Sequence, residues 1–304
     1  MGLLQEILFG LVTGSYIAIA AIGFTLIYGI VNMINFAYGE YLTLGAFVGL
    51  LASTALPVPL PVAVVVAMVG GGIGSLVLAR GFFTPINQTG PVPLLLTSIG
   101  LGIALRNVIR LVAGRNARYF ETETTTVRFD SVPDLSVGPV DLLGGLFVTT
   151  EQLTVVGAAV AVFVAVHLLL TRTNVGIAMR AMGDDEQLAR VRGIDTQLVR
   201  DSVWILAGVL AGLAGVLMAI QTNVSATTGY SQILQILSAA ILGGAGSPYG
   251  AIVGAYVIGL VIALSTALLP SGLTGLSTAA AFVILIAVLL VRPSGIAGTE
   301  VREA

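Results

Sequence analysis

The sequence predicts an all-α polytopic membrane protein forming one transmembrane domain over residues 1–304, and three observations predict it. Hydrophobic residues make up 57% of the chain and charged residues 9%, whereas a soluble chain carries roughly a quarter charged residues to cover its surface. Apolar runs of about 20 residues, the length of a helix across the hydrocarbon, recur along the chain, and the mean hydropathy is +1.03. Most of the 38 glycines lie inside those runs, where helices pressed together in lipid need small residues. Disorder and fibrous repeats are thereby excluded.

In chain order the runs, separated by charge, Pro or polar clusters, are 7–29, 37–56, 60–79, 93–112, 152–170, 202–220, 233–246, 249–268 and 276–291. About eight to ten crossings are predicted. The opening segment MGLLQEILFG has no basic stretch, so the first run is expected to remain as a membrane helix. Gly10/Gly14, Gly208/Gly212 and Gly246/Gly250/Gly254 have the small-xxx-small spacing of helix packing. Trp204, at a span end, is expected to anchor at the membrane interface. The run 233–246 is short and ends in Gly243-Gly244-Ala245-Gly246-Ser247-Pro248, which breaks a helix, so a broken or re-entrant segment is expected there. Gly45–Leu50 echoes Gly254–Leu260, as two related halves would, although compositions this biased also produce such echoes by chance.

Two polar stretches set the orientation. Residues 113–150 contain Arg115, Arg118 and Arg128; residues 171–200 contain Arg172, Arg180, Arg190, Arg192 and Arg200. Basic residues near span ends favour the cytoplasm, so 171–200 is placed inside and 113–150 outside. Arg292 and Arg302 then put the C-terminus inside, and Arg80 falls there too.

Composition also excludes chemistry. With no cysteine there is no disulfide, thiolate metal site or cysteine nucleophile. The single histidine, His167, lies within the apolar stretch Val160–Leu170, so a histidine metal site or a Ser/His/Asp triad is not expected. It is read as an interfacial residue and not a proton relay. Neither a metal nor a catalytic residue is predicted. A net charge of −2 argues against nucleic acid as a partner. Lysine is absent, so the chain has no phosphate loop of the Gly-x4-Gly-Lys-Ser/Thr kind and binds no ATP that way.

The stretch 171–200 is the most informative. Asp184 and Gln187 have capping-box spacing, acidic residues open the segment, basic ones close it, and Gly193 is a natural stop. A short helix from about Asp185 to Arg192 is predicted on the cytoplasmic side, with Leu188 and Val191 on one face beside the small Ala189. Spacing alone equally describes a solvated connector.

At this stretch the chain resembles a known family. Gly176, Arg180, Ala181, Asp184, Ala189, Gly193 and Ile194 stand in the pattern of the cytoplasmic loop of branched-chain amino acid ABC permeases of the Liv type. The segments Gly14-Ser15-x-Ile17-Ala18, Ile27-Tyr28-Gly29 and Ile34–Glu40 resemble the N-terminal signature, with Tyr38 where the family commonly has His. Ala207–Gly215, Ala239–Ser247 and Val291–Ile296 resemble its later blocks. The likeness covers nearly the whole chain and is closer to the LivH-like subunit than to its usual partner. It implies a non-enzymatic permease subunit moving branched-chain amino acids across the cell membrane by alternating access. It also implies a heterodimer with a second homologous permease subunit, two ATP-binding subunits that use ATP, and an external solute-binding protein docking on 113–150. Gly176, Arg180, Asp184, Asp185, Leu188, Ala189, Val191, Arg192 and Gly193 would then couple the chain to the ATPases. Urea and short-amide permeases share these blocks, so those solutes stand as an alternative. An ion-coupled secondary transporter is the rival class, but such coupling needs buried carboxylates and Glu40 is the one acidic residue inside the predicted span cores.

Two further places carry polar residues in apolar sequence. Asn32, Asn35, Tyr38 and Glu40 interrupt 31–40; they would either bound a broken helix on the solute pathway or form an interfacial turn near the cytoplasm, with Glu40 paired to an arginine such as Arg80. The topology favours the turn. Arg106 and Arg110 share a helix face in the outer half of 93–112 and are expected to snorkel to headgroups, the alternative being attraction of a carboxylate.

Overall fold

A computed structural model of the chain describes residues 2–56, 58–121, 125–129, 136–137, 140–141, 146–269 and 274–297. In order these form α1 (Leu3–Val31), α2 (Tyr38–Ala55), α3 (Leu60–Leu78), α4 (Pro91–Ala113), β1 (Thr126–Phe129), β2 (Ser136–Val137), β3 (Val140–Asp141), β4 (Leu146–Thr149) and α5 (Thr150–Arg172). Then come α6 (Asn174–Asp184), α7 (Glu186–Val191), α8 (Thr196–Gln221), α9 (Thr228–Gly243), α10 (Pro248–Leu268) and α11 (Ser277–Val291). All nine apolar runs are therefore helical. Six helices, α1, α3 with its extension to Asn87, α4, α5, α8 and α10, are long and apolar enough to cross a membrane. The runs at 37–56, 233–246 and 276–291 became the shorter α2, α9 and α11, of 18, 16 and 15 residues.

The boundaries have local causes. Proline stands in the first turn of α3, α4 and α10, where its missing N–H costs no hydrogen bond. Thr149 and Gln152 close a full capping box at the start of α5, and Asp195 Oδ1 accepts from Gln197 N and Leu198 N at the start of α8. Beyond α9, Gly244 and Gly246 take φ of 106° and 90°, conformations that residues with a Cβ rarely adopt. The break expected in this stretch falls there.

The long helices α1 and α8 form the buried centre. α1 packs on α10 and α8, while α8 packs on α3 and α2. The glycine pairs supply the close approaches: Gly208 meets Gly71, Gly212 meets Ala67, and Gly10 and Gly14 lie against Leu260 and Tyr256 of α10. Among apolar surfaces that lipid solvates equally well, such backbone proximity gains the dispersion energy that holds helices together. Trp204 departs from its expected place at the interface. It is buried and stacks on Phe83, with ring centroids 5.1 Å apart, because α3 runs on through a π-helical turn (Ala79–Phe83) whose Phe83 reaches it.

The sequence of long helix, break and short helix occurs twice, in α1–α2 and in α8–α9. The echo between 45–50 and 254–260 instead joins α2 to α10 and does not follow this arrangement. Asn32 ends α1 in the left-handed region at φ 55°, which asparagine tolerates better than most residues. The chain then runs through an irregular stretch and a turn at 36–37 before α2 begins beside Gly102, the midpoint of α4, which faces Ala37. Tyr38 Oη donates to the carbonyl of Ala207 near the middle of α8. The segment 32–37 thus reaches the centre of the helical layer and is not the interfacial turn that the topology favoured. Two of its backbone N–H groups are met by side chains, Ser98 Oγ accepting from Phe36 N and Asn35 Oδ1 from Ala37 N, while the buried Asn35 Nδ2 has no partner among the described residues.

The two sides of the layer are distinguishable. Gln5 clamps the backbone of Phe147, its Nε2 donating to the carbonyl and its Oε1 accepting the N–H. The start of α1 therefore lies on the same side as the antiparallel pair β1–β4. On the opposite side α6 and α7 gather with the residues after α11, where Ile296 N and Ala297 N donate to the carbonyls of Leu242 and Gly243.

Candidate functional site

Three places carry the polar chemistry, and the first is the α6–α7 elbow. α5, α6 and α7 follow one another with single-residue breaks at Thr173 and Asp185. Thr173 Oγ1 accepts from Gly176 N, and Gly176 lets α6 turn tightly against α5, since a Cβ there would strike Leu169 and Leu170. Asp185 is the N-cap of α7, its Oδ1 accepting from Leu188 N at 2.9 Å. The helix therefore runs Glu186–Val191, and Asp184, expected at the cap, is the last residue of α6. The acid one position later won because only its extended backbone lets the carboxylate reach the N3 amide. Gly193 takes φ 84° and stops α7 as expected.

Glu186 fixes this elbow to the spans. Its Oε1 accepts from Arg190 at 3.0 Å and from Arg200 of α8 at 2.8 Å. The i, i+4 pairing with Arg190 is legible from spacing; the bond to Arg200 is tertiary and is not. Leu188 and Val191 are 53% and 83% exposed. Ala189, expected on the same outward face, is buried at 3% and packs inward. Arg180, Asp184, Asp185 and Arg192 are exposed around this apolar pair.

The second place is a cleft of about 860 Å³ between the end of α1, α6 and the loop before α10. Asn32, Arg180, Asp184, Glu186, Ser247 and Tyr249 supply much of its polar lining. Asn32 thus meets Arg180 and Asp184 around one space, while Asn35 and Tyr38 are fully buried and hold the 32–37 break. His167 sits nearby, its Nδ1 2.9 Å from Tyr249 Oη.

The third place is the junction of α2, α4 and α9. Glu40 is 1% exposed and pairs with Arg106, whose Nε and Nη2 lie 2.9 and 2.8 Å from the same Oε1. The expected pairing with Arg80 is not made: Arg80 lies on the other side of the layer and bonds Asp201 at 2.6 Å. Arg106 does not snorkel to headgroups either, because Glu40 and the Tyr230 ring, 3.6 Å below its guanidinium, hold it at helix depth. Gly39 and Gly229 bring α2 and α9 into backbone contact beside this pair, and Thr43 Oγ1 accepts from Gly229 N at 3.0 Å. Sequence showed only the four-residue spacing of Arg106 and Arg110. No group of His, Cys, Asp or Glu able to hold a metal ion occurs among the described residues.

Comparison with known proteins covers nearly the entire chain. Residues 6–292 match the family described as branched-chain amino acid transport system / permease component. The chain is 29% identical to the high-affinity branched-chain amino acid transport system permease protein LivH of Salmonella typhimurium, over 97% of this chain and 95% of that protein. LivH of Escherichia coli (strain K12) gives the same identity and coverage. The permease BraD of Pseudomonas aeruginosa is 28% identical over 97% of this chain and 95% of its own.

Proposed function

Since the chain belongs to the family of branched-chain amino acid transport system permease components, we propose that it is one permease subunit of a binding-protein-dependent ABC importer for branched-chain, hydrophobic amino acids. The family is a transport component and not an enzyme. ATP hydrolysis therefore comes from two partner subunits, and a second homologous permease completes the membrane part. The arginine-rich side carrying α6, α7 and the residues after α11 faces the cytoplasm. The opposite side, with β1–β4, receives the loaded solute-binding protein.

The observation that carries this reading is the α6–α7 elbow. A polar, arginine-rich surface presents two large apolar side chains, Leu188 and Val191, on a short helix capped at both ends and tied to α8 through Glu186. A flexible connector would gain nothing from that fixation. An element that must transmit the closure of an ATPase cleft to the spans needs it, because force passes only through rigid contacts. Alternating access follows: closure of the ATPases pushes α6–α7 against α5 and α8, and the path between the two permease subunits switches sides.

Co-expression with the two ATP-binding subunits and the second permease tests this. The chain is expected to co-purify with both ATPases, and loaded binding protein is expected to stimulate ATP hydrolysis by the reconstituted complex. A chain that purifies alone and moves solute with an ion gradient would overturn the proposal.

A further inference from the structure

We infer that Arg106, seated on the Tyr230 ring and braced by Glu40, and Arg110 one turn further along α4 form a carboxylate-binding station on the solute path through this subunit. This rests on the importer reading and adds a site to it. α9 exposes Tyr230, Ser231 and Leu234, with Thr227 exposed just before it, and α4, which meets α9 through Arg106 and Tyr230, exposes Ile103, Asn107 and Arg110. Arg106 lies seven residues before the end of the 23-residue α4, about 10 Å inside that end at 1.5 Å per residue. Asn107 and Ser231 bond carbonyls of their own helices, but a cation held at the depth of Arg106 is costly against lipid. This face therefore looks onto water or protein and not onto acyl chains.

The charge arithmetic selects the ligand. Glu40 neutralises one cation, and Arg110, exposed one turn along α4 from Arg106 on the same helix face, leaves the cluster with a net positive charge. Arg106 spends Nε and Nη2 on Glu40, while Nη1 has no partner among the described residues. The N-termini of α2 and α9, neither with a side-chain cap, converge at Gly39 and Gly229 and add partial positive charge. Glu40 is too deeply buried to meet an incoming ammonium group. A small anionic group is the complementary ligand, and the carboxylate of a zwitterionic amino acid supplies it. A lipid phosphate offers related chemistry from the other side of α4.

The test uses the assembled permease–ATPase complex in nanodiscs, without binding protein, labelled with a diazirine analogue of leucine or with its carboxamide. Labelling of α4 and α9 is read by mass spectrometry. The acid should label about tenfold more efficiently than the amide, the scale of a charge-assisted hydrogen bond. Arg110→Gln, an exposed change, should erase that preference while amide labelling stays at the parental level; Tyr230→Phe should retain it. A preference equal in parent and Arg110→Gln, or no labelling of α4 and α9, overturns the station. Loss of the preference on adding anionic lipid to the parental nanodiscs assigns the cluster to headgroups and also overturns it. Binding-protein-stimulated ATP hydrolysis, measured separately, reports on the importer reading, so the two failures are distinguishable.

Discussion

Glu40 and Arg106 are expected to be strongly coupled in stability. Glu40 is 1% exposed and Arg106 17%, and both guanidinium contacts converge on one carboxylate oxygen at 2.8–2.9 Å. Removing either partner alone leaves a charge at helix depth without its counter-ion, at a cost of about 3–5 kcal/mol. Arg106 loses in addition its stacking on Tyr230, about 1 kcal/mol at a partly exposed ring. Removing both, as Glu40→Leu with Arg106→Leu, deletes the desolvation problem along with the attraction and should cost much less than the two single changes summed. A double-mutant cycle by SDS-titrated unfolding in mixed micelles measures this, with a coupling of about 2 kcal/mol or more expected. Glu40→Gln should fall between, because it keeps a hydrogen-bond acceptor but no charge. Additive single effects, within about 0.5 kcal/mol, would show that the pair does not form and that α2 is placed wrongly.

Three other outcomes are expected. Leu188→Glu and Val191→Glu should each weaken association with the ATP-binding subunits, read by co-purification, and leave the chain's own unfolding within about 0.5 kcal/mol of the parent; Ala189→Arg should destabilise the chain itself because Ala189 is buried. Asp185→Ala should cost about 1 kcal/mol through the lost cap of α7, whereas Asp184→Ala, which caps nothing, should be near neutral in the same unfolding measurement. Gly229→Ala would drive a Cβ into the Gly39 carbonyl and should abolish folded yield by size-exclusion profile, while Gly100→Ala, with nothing within 4 Å, serves as the tolerated control.

What the sequence made legible divides by the range of the interaction involved. All nine apolar runs could be read as helices, because local apolarity and the punctuation of Pro, Gly and capping residues dictate them. Only six are of membrane-crossing length and apolarity, fewer than the eight to ten crossings expected, because α2 and α9 start after breaks and α11 has 15 residues. Of the elbow, α7 was legible from the same local signals, apart from a one-residue shift of its cap from Asp184 to Asp185, whereas α6 (Asn174–Asp184) was not foreseen. The 32–37 break was visible as Asn32, Asn35 and Tyr38 in apolar sequence. Its depth was not, because that depends on Ser98 and Ala207 receiving it from other helices. The one charge pairing read from sequence failed, since Glu40 chose Arg106 over Arg80 and Arg80 took Asp201, and the bond of Glu186 to Arg200 was not foreseen. Each is a contact between helices distant in sequence, to which periodicity is blind. Ala189 was placed on the outward face because one small residue on a six-residue helix has no pattern to reveal which way it points. Residues such as Thr124 in the stretch 113–150 lie outside the described residues.

The most direct test of the account is uptake into proteoliposomes that contain the complete complex, with ATP supplied on the side of α6–α7 and loaded binding protein on the side of β1–β4. Labelled leucine, isoleucine or valine should accumulate with ATP and not with a non-hydrolysable analogue, and dissipating ion gradients should leave the rate unchanged. Uptake of urea or a short amide in place of these amino acids would contradict the assigned solute. Uptake that follows an ion gradient without ATP would contradict the importer mechanism itself.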